Sequence, residues 1–449
     1  MSLTNISPID GRYSEKVSEL ADYFSEYALM RFRLEIEINY FIAFTKLGVS
    51  ELKDFPSDKT KILLGWVRNF NIKQCEEVKK IEKITNHDIK ALEYWIKSKF
   101  EEEGIGAYKE FVHFGLTSQD INNTAIPLSI KRALENILIP QIEELLHLLM
   151  ELVSEWETIP MLARTHGQAA SPTFVGKEIM VFAKRLIHQV EMLKSIPHKA
   201  KFGGATGNFN AHFLAYPEVD WHAFAKTFLN NTWELERSYP TTQIEHYDFL
   251  SAQLDACKRI NVILLDLAKD FWTYISLDYF KQAINPNETG SSAMPHKVNP
   301  IDFENAEGNL GIANALFIHL GEKLPISRMQ RDLTDSTVLR NLGVPFAHTL
   351  LAIKSLIRGF QKLTLNKVQL ENDLHENWAV VAEGIQTLLR KEGYPEPYEA
   401  LKALTRNQAK IDKSTIAEWA KNLHIRDEVK QKIIQLTPQD YTGTKKWKN

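Results

Sequence analysis

The sequence has few of the residues that interrupt helices. Its 449 residues include 20 glycines and 17 prolines, fewer than the usual shares of roughly 7% and 5% would give. This deficit favours long helices over a β architecture rich in turns. The chain also has only two cysteines, Cys75 and Cys257. Their wide spacing suggests neither a disulfide framework nor a cysteine-based zinc site, and it fits a reducing cytoplasm best.

Long apolar runs and a strong excess of one charge are missing as well. Residues 1–13 lack the apolar stretch of a secretory signal, and the apolar run at residues 260–265 ends at the charged Asp266. The formal net charge is only -3, so whole-chain electrostatics give no reason to expect nucleic acid or an anionic membrane as partner. We therefore predict a soluble, cytoplasmic protein that binds neither.

Helical periodicity dominates the chain. Between Pro240 and Pro286 there is neither glycine nor proline, and the spacing of apolar residues predicts one helix of about 40 residues. At 1.5 Å per residue this helix would be about 60 Å long, which is longer than an ordinary domain is wide. Its middle should therefore be covered by a helix bundle and by other subunits of a homo-oligomer. Similar patterns predict helices over residues 14–47, 120–157, 172–196 and 332–363.

These patterns predict an all-α protein of three helical domains. We expect an N-terminal helical domain over residues 1–112, a central long-helix bundle over residues 113–364 and a C-terminal helical domain over residues 365–449. The polar segments that connect the helices are the natural places for chemistry.

Residues 290–300, with the sequence GSSAMPHKVNP, are too polar and too rich in glycine and proline to be core. Gly290 permits unusual backbone angles, successive amides can point at a carboxylate, and Lys297 adds a full positive charge. The segment is therefore interpreted as a lid that binds an anion. The alternative is an ordinary solvated loop, because long polar loops are either functional or disordered.

This run resembles the signature of the fumarate-releasing lyase superfamily, which includes fumarase, aspartase and argininosuccinate lyase. Its MPHKVNP portion resembles the adenylosuccinate lyase family, most closely the bacterial subgroup. Further similar segments are SPIDGRY at 7–13, TNHD at 85–88, TSQD at 117–120, RTHGQ at 164–168 and RDLTDSTVLR at 331–340. Gln119 departs from the pattern, since the resembling enzymes carry glutamate there. The resemblance implies an all-helical long-helix bundle, a homotetramer around a central bundle, and active sites built from three chains.

The resemblance also implies a reaction and two catalytic residues. Expected reactions are the cleavage of adenylosuccinate to AMP and fumarate, and of succinylaminoimidazole carboxamide ribotide (SAICAR) to AICAR and fumarate, both in purine nucleotide biosynthesis. No metal and no organic cofactor is expected. Elimination requires a base, an acid and groups that stabilise developing charge. By resemblance Ser291 is the general base and His166 the general acid; without it, they fit a loop hydroxyl and a structural histidine equally well.

Further residues are assigned to the nucleotide substrate by the same resemblance. The 86–88 segment would line the site, Thr117 and Ser118 would bind the succinyl portion, and the 331–340 segment would hold the phosphate together with Arg12 and Tyr13. The full set of expected substrate-binding residues is Arg12, Tyr13, Asn86, His87, Asp88, Thr117, Ser118, Gln243, Ser292, Lys297, Val298, Asn299, Asn305, Arg331, Ser336, Thr337, Val338, Leu339 and Arg340. From the residues alone, the ordinary interpretation is helix caps, with Asn86 and Asp335 as candidates, and a salt-bridged surface helix.

Three other interpretations compete with this one. A related lyase of the argininosuccinate lyase or aspartase type would use the same elimination on a different leaving group, and a catalytically inactive helical scaffold would keep only the fold. The glycine-rich segment FGGATGN at residues 202–208 could suggest a dinucleotide-binding loop. That interpretation is rejected, because the segment lacks the preceding strand and the acidic residue of a βαβ unit.

Overall fold

The computed structural model describes residues 3–283, 294, 297–406, 411–444 and 447, and it confirms the all-α prediction. Within these ranges the helices are α1 (Ala21–Phe24), α2 (Glu26–Thr45), α3 (Lys59–Arg68), α4 (Ile72–Thr85), α5 (Asp88–Glu102), α6 (Ser118–Ala133), α7 (Ile139–Glu155), α8 (Val175–Ser195), α9 (Asn210–Ala215), α10 (Trp221–Trp233), α11 (Asp248–Ser276), α12 (Ile301–Lys323), α13 (Thr334–Leu339), α14 (Gly343–Gln361), α15 (Lys367–Glu376), α16 (Ala382–Lys391), α17 (Pro397–Arg406), α18 (Lys413–Lys421) and α19 (Asp427–Gln435).

The described strands are short and form only two-stranded pairs. They are β1 (Pro160–Met161), β2 (Arg164–Thr165), β3 (Gln168–Ala169), β4 (Thr173–Phe174), β5 (Lys199–Ala200), β6 (Glu236–Arg237), β7 (Phe280–Gln282) and β8 (Leu363–Leu365). The pairs β1–β4, β2–β3 and β7–β8 are antiparallel, and β5–β6 is parallel. Strands of two or three residues tie loops together and do not build a sheet with its own core.

The chain divides into two compact units. The first comprises Met1–Glu143, His188–Leu265 and Ala306–Lys354, and the second comprises Glu144–Ile187, Asp266–Asn305 and Ser355–Asn449. The boundaries that the sequence suggested near residues 112 and 364 stay predictions.

Helix α2 is the central element of the first unit's core. Large apolar side chains on all its sides are buried, among them Phe32, Leu34 and Tyr40, so the rest of the unit covers this helix on every side. The helix starts where the side chain of Ser25 accepts a hydrogen bond from the Ala28 amide at 3.0 Å. This N-cap splits the helix predicted over residues 14–47.

The second unit has a separate core among its C-terminal helices. Trp378 and Val381 are buried with Ile385 of α16, Ile416 of α18 and Ile433 of α19. The helices α16 and α18 carry their apolar residues at amphipathic spacing, so each buries one face.

Helix α11 is shorter than the sequence suggested, with 29 residues in place of about 40. It begins after Tyr247, which adopts a left-handed backbone with φ 62°. The buried Tyr247 hydroxyl donates to Asp335 Oδ2 at 3.0 Å and accepts from Asn123 Nδ2 at 2.7 Å. These long-range hydrogen bonds hold the residue in a conformation that a helix cannot continue, and they are invisible to local periodicity.

The helix predicted over residues 120–157 is present and continues through both of its prolines. Pro127 lies inside α6, and a single π-helical turn over Leu134–Leu138 joins α6 to α7. Pro140 follows this wider turn directly, as the second residue of α7, and such π turns are a common way for a continuous helix to accommodate a local irregularity.

Candidate active site

One cavity of about 550 Å³ lies wholly within the first unit. Its size suits a small-molecule site. Three separate parts of the sequence supply the predicted substrate-binding residues that line it: Asn86, His87, Asp88, Ser118, Arg331, Ser336, Thr337, Leu339 and Arg340. The structure therefore brings together most of the residues predicted in this unit.

The junction of α4 and α5 presents the first of these segments. Helix α4 ends at Asn86, whose left-handed backbone has φ 50°, a conformation that asparagine tolerates well. His87 is the N-cap of α5, and its Nδ1 accepts a hydrogen bond from the Lys90 amide at 3.2 Å. The sequence had suggested Asn86 as this cap, so that assignment was wrong by one residue. Because Nδ1 accepts, the neutral His87 ring carries its proton on Nε2, as a donor.

A buried arginine that the sequence analysis missed holds this junction. Arg33 of α2 lines the cavity, and its Nη2 lies 2.8 Å from Asp88 Oδ2 while its Nε donates to Asn122 Oδ1 at 2.8 Å. Burial raises the pKa of Asp88, but the charge of Arg33 and the hydrogen bond from the Ile89 amide outweigh it and keep the pKa below its usual value. Asp88 is therefore an anion fixed in direction. An arginine within the apolar run of α2 was the available signal, because such residues are buried only when paired.

The second segment is the N-terminus of α6. Thr117 is its N-cap, and the Thr117 amide donates to Asp120 Oδ2 at 2.8 Å. Ser118, the first residue of the helix, lines the cavity. The amides of a helix N-terminus favour an anion, and the roles expected of Thr117 and Ser118 stay predictions.

Asp120 is itself the centre of a buried polar cluster. Its Oδ1 accepts from Lys201 Nζ at 2.7 Å and from the amides of Gly203 and Gly204 at 2.8 and 3.1 Å. The side chains of Asp120 and Lys201 are both fully buried. The glycine-rich segment thus binds a carboxylate of its own chain, and Asp120 fixes the α6 N-terminus against that segment.

Arg331 connects the third segment to two others. Its Nη2 donates to Ser336 Oγ at 3.2 Å, and its Nη1 donates to Gln243 Oε1 at 3.4 Å. With the amide of Gln119 oriented so that its oxygen faces the guanidinium, Gln119 accepts from Arg331 at 2.6 and 3.2 Å. Gln243 was predicted to contact substrate and lies beside a cavity residue. The neutral Gln119 keeps a two-point contact with Arg331.

Arg340, at the end of α13, is paired with carboxylates. Its Nη1 lies 2.8 Å from Glu26 Oε2, and its Nη2 lies 3.5 Å from Asp88 Oδ2. Glu26 and Asp88 both line the cavity. Asp332, and not Asp335 as the sequence had suggested, accepts the first amide of α13, from Thr334 at 2.8 Å.

The cavity lining lacks five predicted residues of the first unit: Arg12, Tyr13, Thr117, Gln243 and Val338. Arg12 and Tyr13 lie among turns near the N-terminus, with the Arg12 guanidinium 6.0 Å from the centre of the Tyr13 ring. Val338 belongs to α13, but only its neighbours Thr337 and Leu339 reach the lining.

His166 lies in the second unit, at the tip of the β2–β3 hairpin. His166 and Gly167 have φ 54° and 76°, as the two central residues of a type I′ turn require, and His166 is exposed. The hairpin is anchored by Arg164, whose Nη2 lies 2.7 Å from Asp373 Oδ2. A rigid hairpin thus presents the imidazole to solvent.

The described end of the predicted lid, residues 297–300, leads into α12, of which residues 301–305 belong to the second unit. Lys297 is exposed, the carbonyl of Val298 accepts from Gln282 Nε2 at 3.1 Å, and the Asn299 carbonyl accepts from the Ile301 amide at 2.9 Å. Asn305 lies in α12 and accepts from Ser355 Oγ at 2.9 Å. Ser291 and Ser292 lie outside the described residues.

Comparisons with known proteins agree with this picture. The family described as Lyase matches residues 11–313, and the family described as Adenylosuccinate lyase C-terminal matches residues 327–442. The adenylosuccinate lyase of Dictyostelium discoideum is 55% identical over 98% of this chain and 97% of its own length. The chain belongs to the adenylosuccinate lyase family. The enzymes of that name from Legionella pneumophila (strain Corby) and Escherichia coli (strain K12) are 48% and 44% identical over the same shares.

Solved structures agree with the fold of this adenylosuccinate lyase family member. The 3-carboxy-cis,cis-muconate lactonizing enzyme from Pseudomonas putida has a TM-score of 0.75 at 16% identity, covering 96% of each chain. A fumarate lyase from Mesorhizobium sp. BNC1 has a TM-score of 0.72 at 19% identity, covering 95% of each chain. At such identities the likeness concerns the fold alone.

Two features are absent from the described residues of this family member. No group of three or more His, Cys, Asp or Glu side chains there could hold a metal ion. Among the described helices, none has the length and apolar character needed to span a bilayer. The expectation of no metal and no cofactor comes from the resemblance and stays a prediction.

Proposed function

We propose that this chain eliminates fumarate from adenylosuccinate, leaving AMP, and from SAICAR, leaving AICAR. The observation that carries the proposal is the convergence of residues 86–88, Ser118 and residues 331–340 on one cavity of about 550 Å³. The cavity contains three arginines, a half-buried serine at the N-terminus of α6 and an oriented histidine, which together suit a phosphate and a succinyl group.

The proposed chemistry has three parts. Ser291 removes the proton from the carbon beside a succinyl carboxylate, the carbon–nitrogen bond breaks, and His166 protonates the departing nitrogen, so that fumarate and an amine leave. A serine hydroxyl is far too weak an acid to ionise alone at neutral pH. Backbone amides and Lys297 of a closed lid would stabilise both the alkoxide and the developing carbanion. The exposed imidazole of His166 can reach a substrate and donate a proton, which suits the acid.

Binding roles are proposed for the remaining residues. Arg331, Ser336 and Arg340, with Arg12 and Tyr13, hold the phosphate, while Thr117 and Ser118 hold the succinyl group. Asn86, His87 and Asp88 line the site, and His87 assists His166. Additional substrate contacts are proposed for Gln243, Ser292, Val298, Asn299, Asn305, Thr337, Val338 and Leu339.

Incubation with adenylosuccinate tests the proposal directly. Purified protein should release AMP and fumarate in equal amounts, and it should also cleave SAICAR, because the two substrates share the succinyl-amine and the phosphate. Turnover of argininosuccinate without adenylosuccinate would favour the related lyase, and no turnover of any of the three would favour an inactive scaffold.

We further propose a cytoplasmic homotetramer whose active sites combine residues of different chains. His166 and Ser291 of one site would then come from different subunits. His166→Ala and Ser291→Ala subunits can be unfolded together and reassembled at random. A site is then intact only when the subunit that supplies His166 is the Ser291→Ala variant and the subunit that supplies Ser291 is the His166→Ala variant. That chance is one half times one half, so roughly a quarter of wild-type activity should return. Hybrid tetramers without activity would refute the shared site and leave the proposed reaction standing.

A further inference from the structure

The phosphate-binding arginine proposed above is occupied by a carboxylate of its own chain. Glu26, in the first turn of α2, lies with its Oε2 2.8 Å from Arg340 Nη1. Both side chains line the cavity, and both are nearly half exposed, at 42% and 47%. The pair is therefore solvated and can exchange partners at small cost.

Glu26 also has a second cationic partner. Its Oε1 lies 3.1 Å from Lys79 Nζ, and Lys79 in turn lies 2.7 Å from Glu82 Oε2. If Arg340 turns to another anion, Glu26 keeps the charge of Lys79. Loss of the Arg340 contact therefore leaves no unpaired carboxylate.

The other two arginines of the cavity are held differently. Arg33 is buried against Asp88 and Asn122. Arg331 donates to neutral oxygens of Ser336 and Gln243, and its Nη2 lies 3.9 Å from the buried carboxylate of Asp335. Of the three arginines lining the described cavity, Arg340 is the one whose nearest partner is a half-exposed carboxylate.

We infer that Glu26 competes with the nucleotide phosphate for Arg340 and so limits the affinity of the site for nucleoside monophosphates. The inference rests on the proposed function. In the empty cavity the carboxylate occupies the guanidinium, and a bound phosphate must displace it and tolerate a negative charge nearby. The same competition would loosen the monophosphate product as well as the substrate.

A purely structural role for Glu26 is the alternative. An acidic residue in the first turn of α2 stabilises the helix dipole, and its pairs with Arg340 and Lys79 tie α2 to two other segments. Under that role, removing the charge would weaken nucleotide binding or leave it unchanged. Competition predicts the opposite sign, a gain of affinity.

The test compares AMP with adenosine, which lacks the phosphate, by calorimetry on the intact protein. Glu26→Gln should lower the Kd for AMP about two- to fivefold, the range expected for an exposed ion pair, and leave the Kd for adenosine unchanged. Glu26→Asp, which withdraws the carboxylate but keeps the charge, should shift it in the same direction by less. If the glutamine variant does not fold, the Kd of Glu26→Asp for AMP still tests the inference.

Two controls carry the same charge change elsewhere. Glu392→Gln breaks a surface pair with Arg426 of 2.6 Å and should not alter AMP binding. Glu82→Gln removes a charge from the same cavity but leaves Arg340 paired with Glu26. Its affinity for AMP should therefore increase less than that of Glu26→Gln.

The outcomes separate the inference from the proposed function. Unchanged or weaker AMP binding by folded Glu26→Gln, an equal gain for adenosine, or an equal gain in Glu82→Gln would each overturn the competition. A wild-type protein that binds no AMP and releases no fumarate would remove the proposed function and the inference with it. Fumarate release by a wild type whose Glu26→Gln variant shows no gain would overturn the inference alone.

Discussion

Loss of the lysine charge in the Asp120–Lys201 pair should strongly destabilise the protein. Lys201→Met keeps an unbranched side chain but removes the Nζ that lies 2.7 Å from Asp120 Oδ1 and donates to the Gly204 carbonyl. Both side chains are fully buried, so neither water nor salt can replace the lost partner. Breaking a buried pair on one side typically costs about 3–5 kcal/mol, a large part of a total stability of about 5–15 kcal/mol.

Removing both charges should not restore stability here. Asp120 also accepts from the amides of Thr117, Gly203 and Gly204. An Asp120→Leu, Lys201→Met double variant would leave two buried amides and one partly buried amide without their acceptor, at about 1–3 kcal/mol for each buried one. We therefore expect the double variant to stay well below wild-type stability, unlike ion pairs that apolar residues replace without loss.

Denaturant unfolding at one fixed protein concentration measures these differences. Lys199→Met is the matched control, because Lys199 pairs with Glu236 at 2.6 Å on the surface, where the glutamate is 55% exposed. It should cost less than about 1 kcal/mol. A Lys201→Met variant as stable as Lys199→Met, or a double variant that recovers wild-type stability, would refute the reasoning.

Three further predictions concern pH, the base and metals. Burial lowers the pKa of His212 to about 4, whereas the histidine of the unfolded chain takes up its proton near about 6.5. The stability contributed by the neutral ring is therefore full above about pH 6.5 and falls by about 2 kcal/mol between pH 7 and 5. The free energy of unfolding of His212→Asn should fall less over the same range. Equal pH slopes in the two proteins would contradict this. Ser291→Ala should abolish fumarate release while substrate affinity changes little, because the base acts in the transition state; near-normal turnover would exclude Ser291. Exhaustive chelation should leave activity intact, and loss restored by a divalent ion would refute the prediction.

The helical fold and the cavity residues could be predicted from sequence for different reasons. Helical periodicity is local, so the all-α class was visible in the spacing of apolar residues. The segments 86–88, 117–118 and 331–340 were found through a resemblance, and physical chemistry alone interprets them as caps and salt bridges. His87 illustrates both readings, since it is a helix cap and a cavity residue at once.

The residues that sequence reasoning missed act through long-range contacts. Asp120 meets Lys201, 81 positions away, and Arg33 meets Asn122, 89 positions away. Each had a weak local signal: Asp120 stands three residues after Thr117, as in a capping box, and Arg33 interrupts an apolar run. Neither local pattern indicates which distant residue the side chain contacts. The early start predicted for α11 failed for the same reason, because Tyr247 is fixed by Asn123 and Asp335.

The three arginines of the cavity differ in how freely they can respond to a ligand. Arg33 cannot leave Asp88 without stranding a buried charge, and Arg331 already points along neutral oxygens that a phosphate need not displace. Arg340 must exchange a half-exposed anionic partner, and Glu26 retains Lys79 when it does so. The electrostatic cost of phosphate binding is therefore concentrated in one solvated pair. Substitutions at Glu26 should tune affinity, whereas substitutions at Arg33 should damage the orientation of Asp88 and with it the site itself.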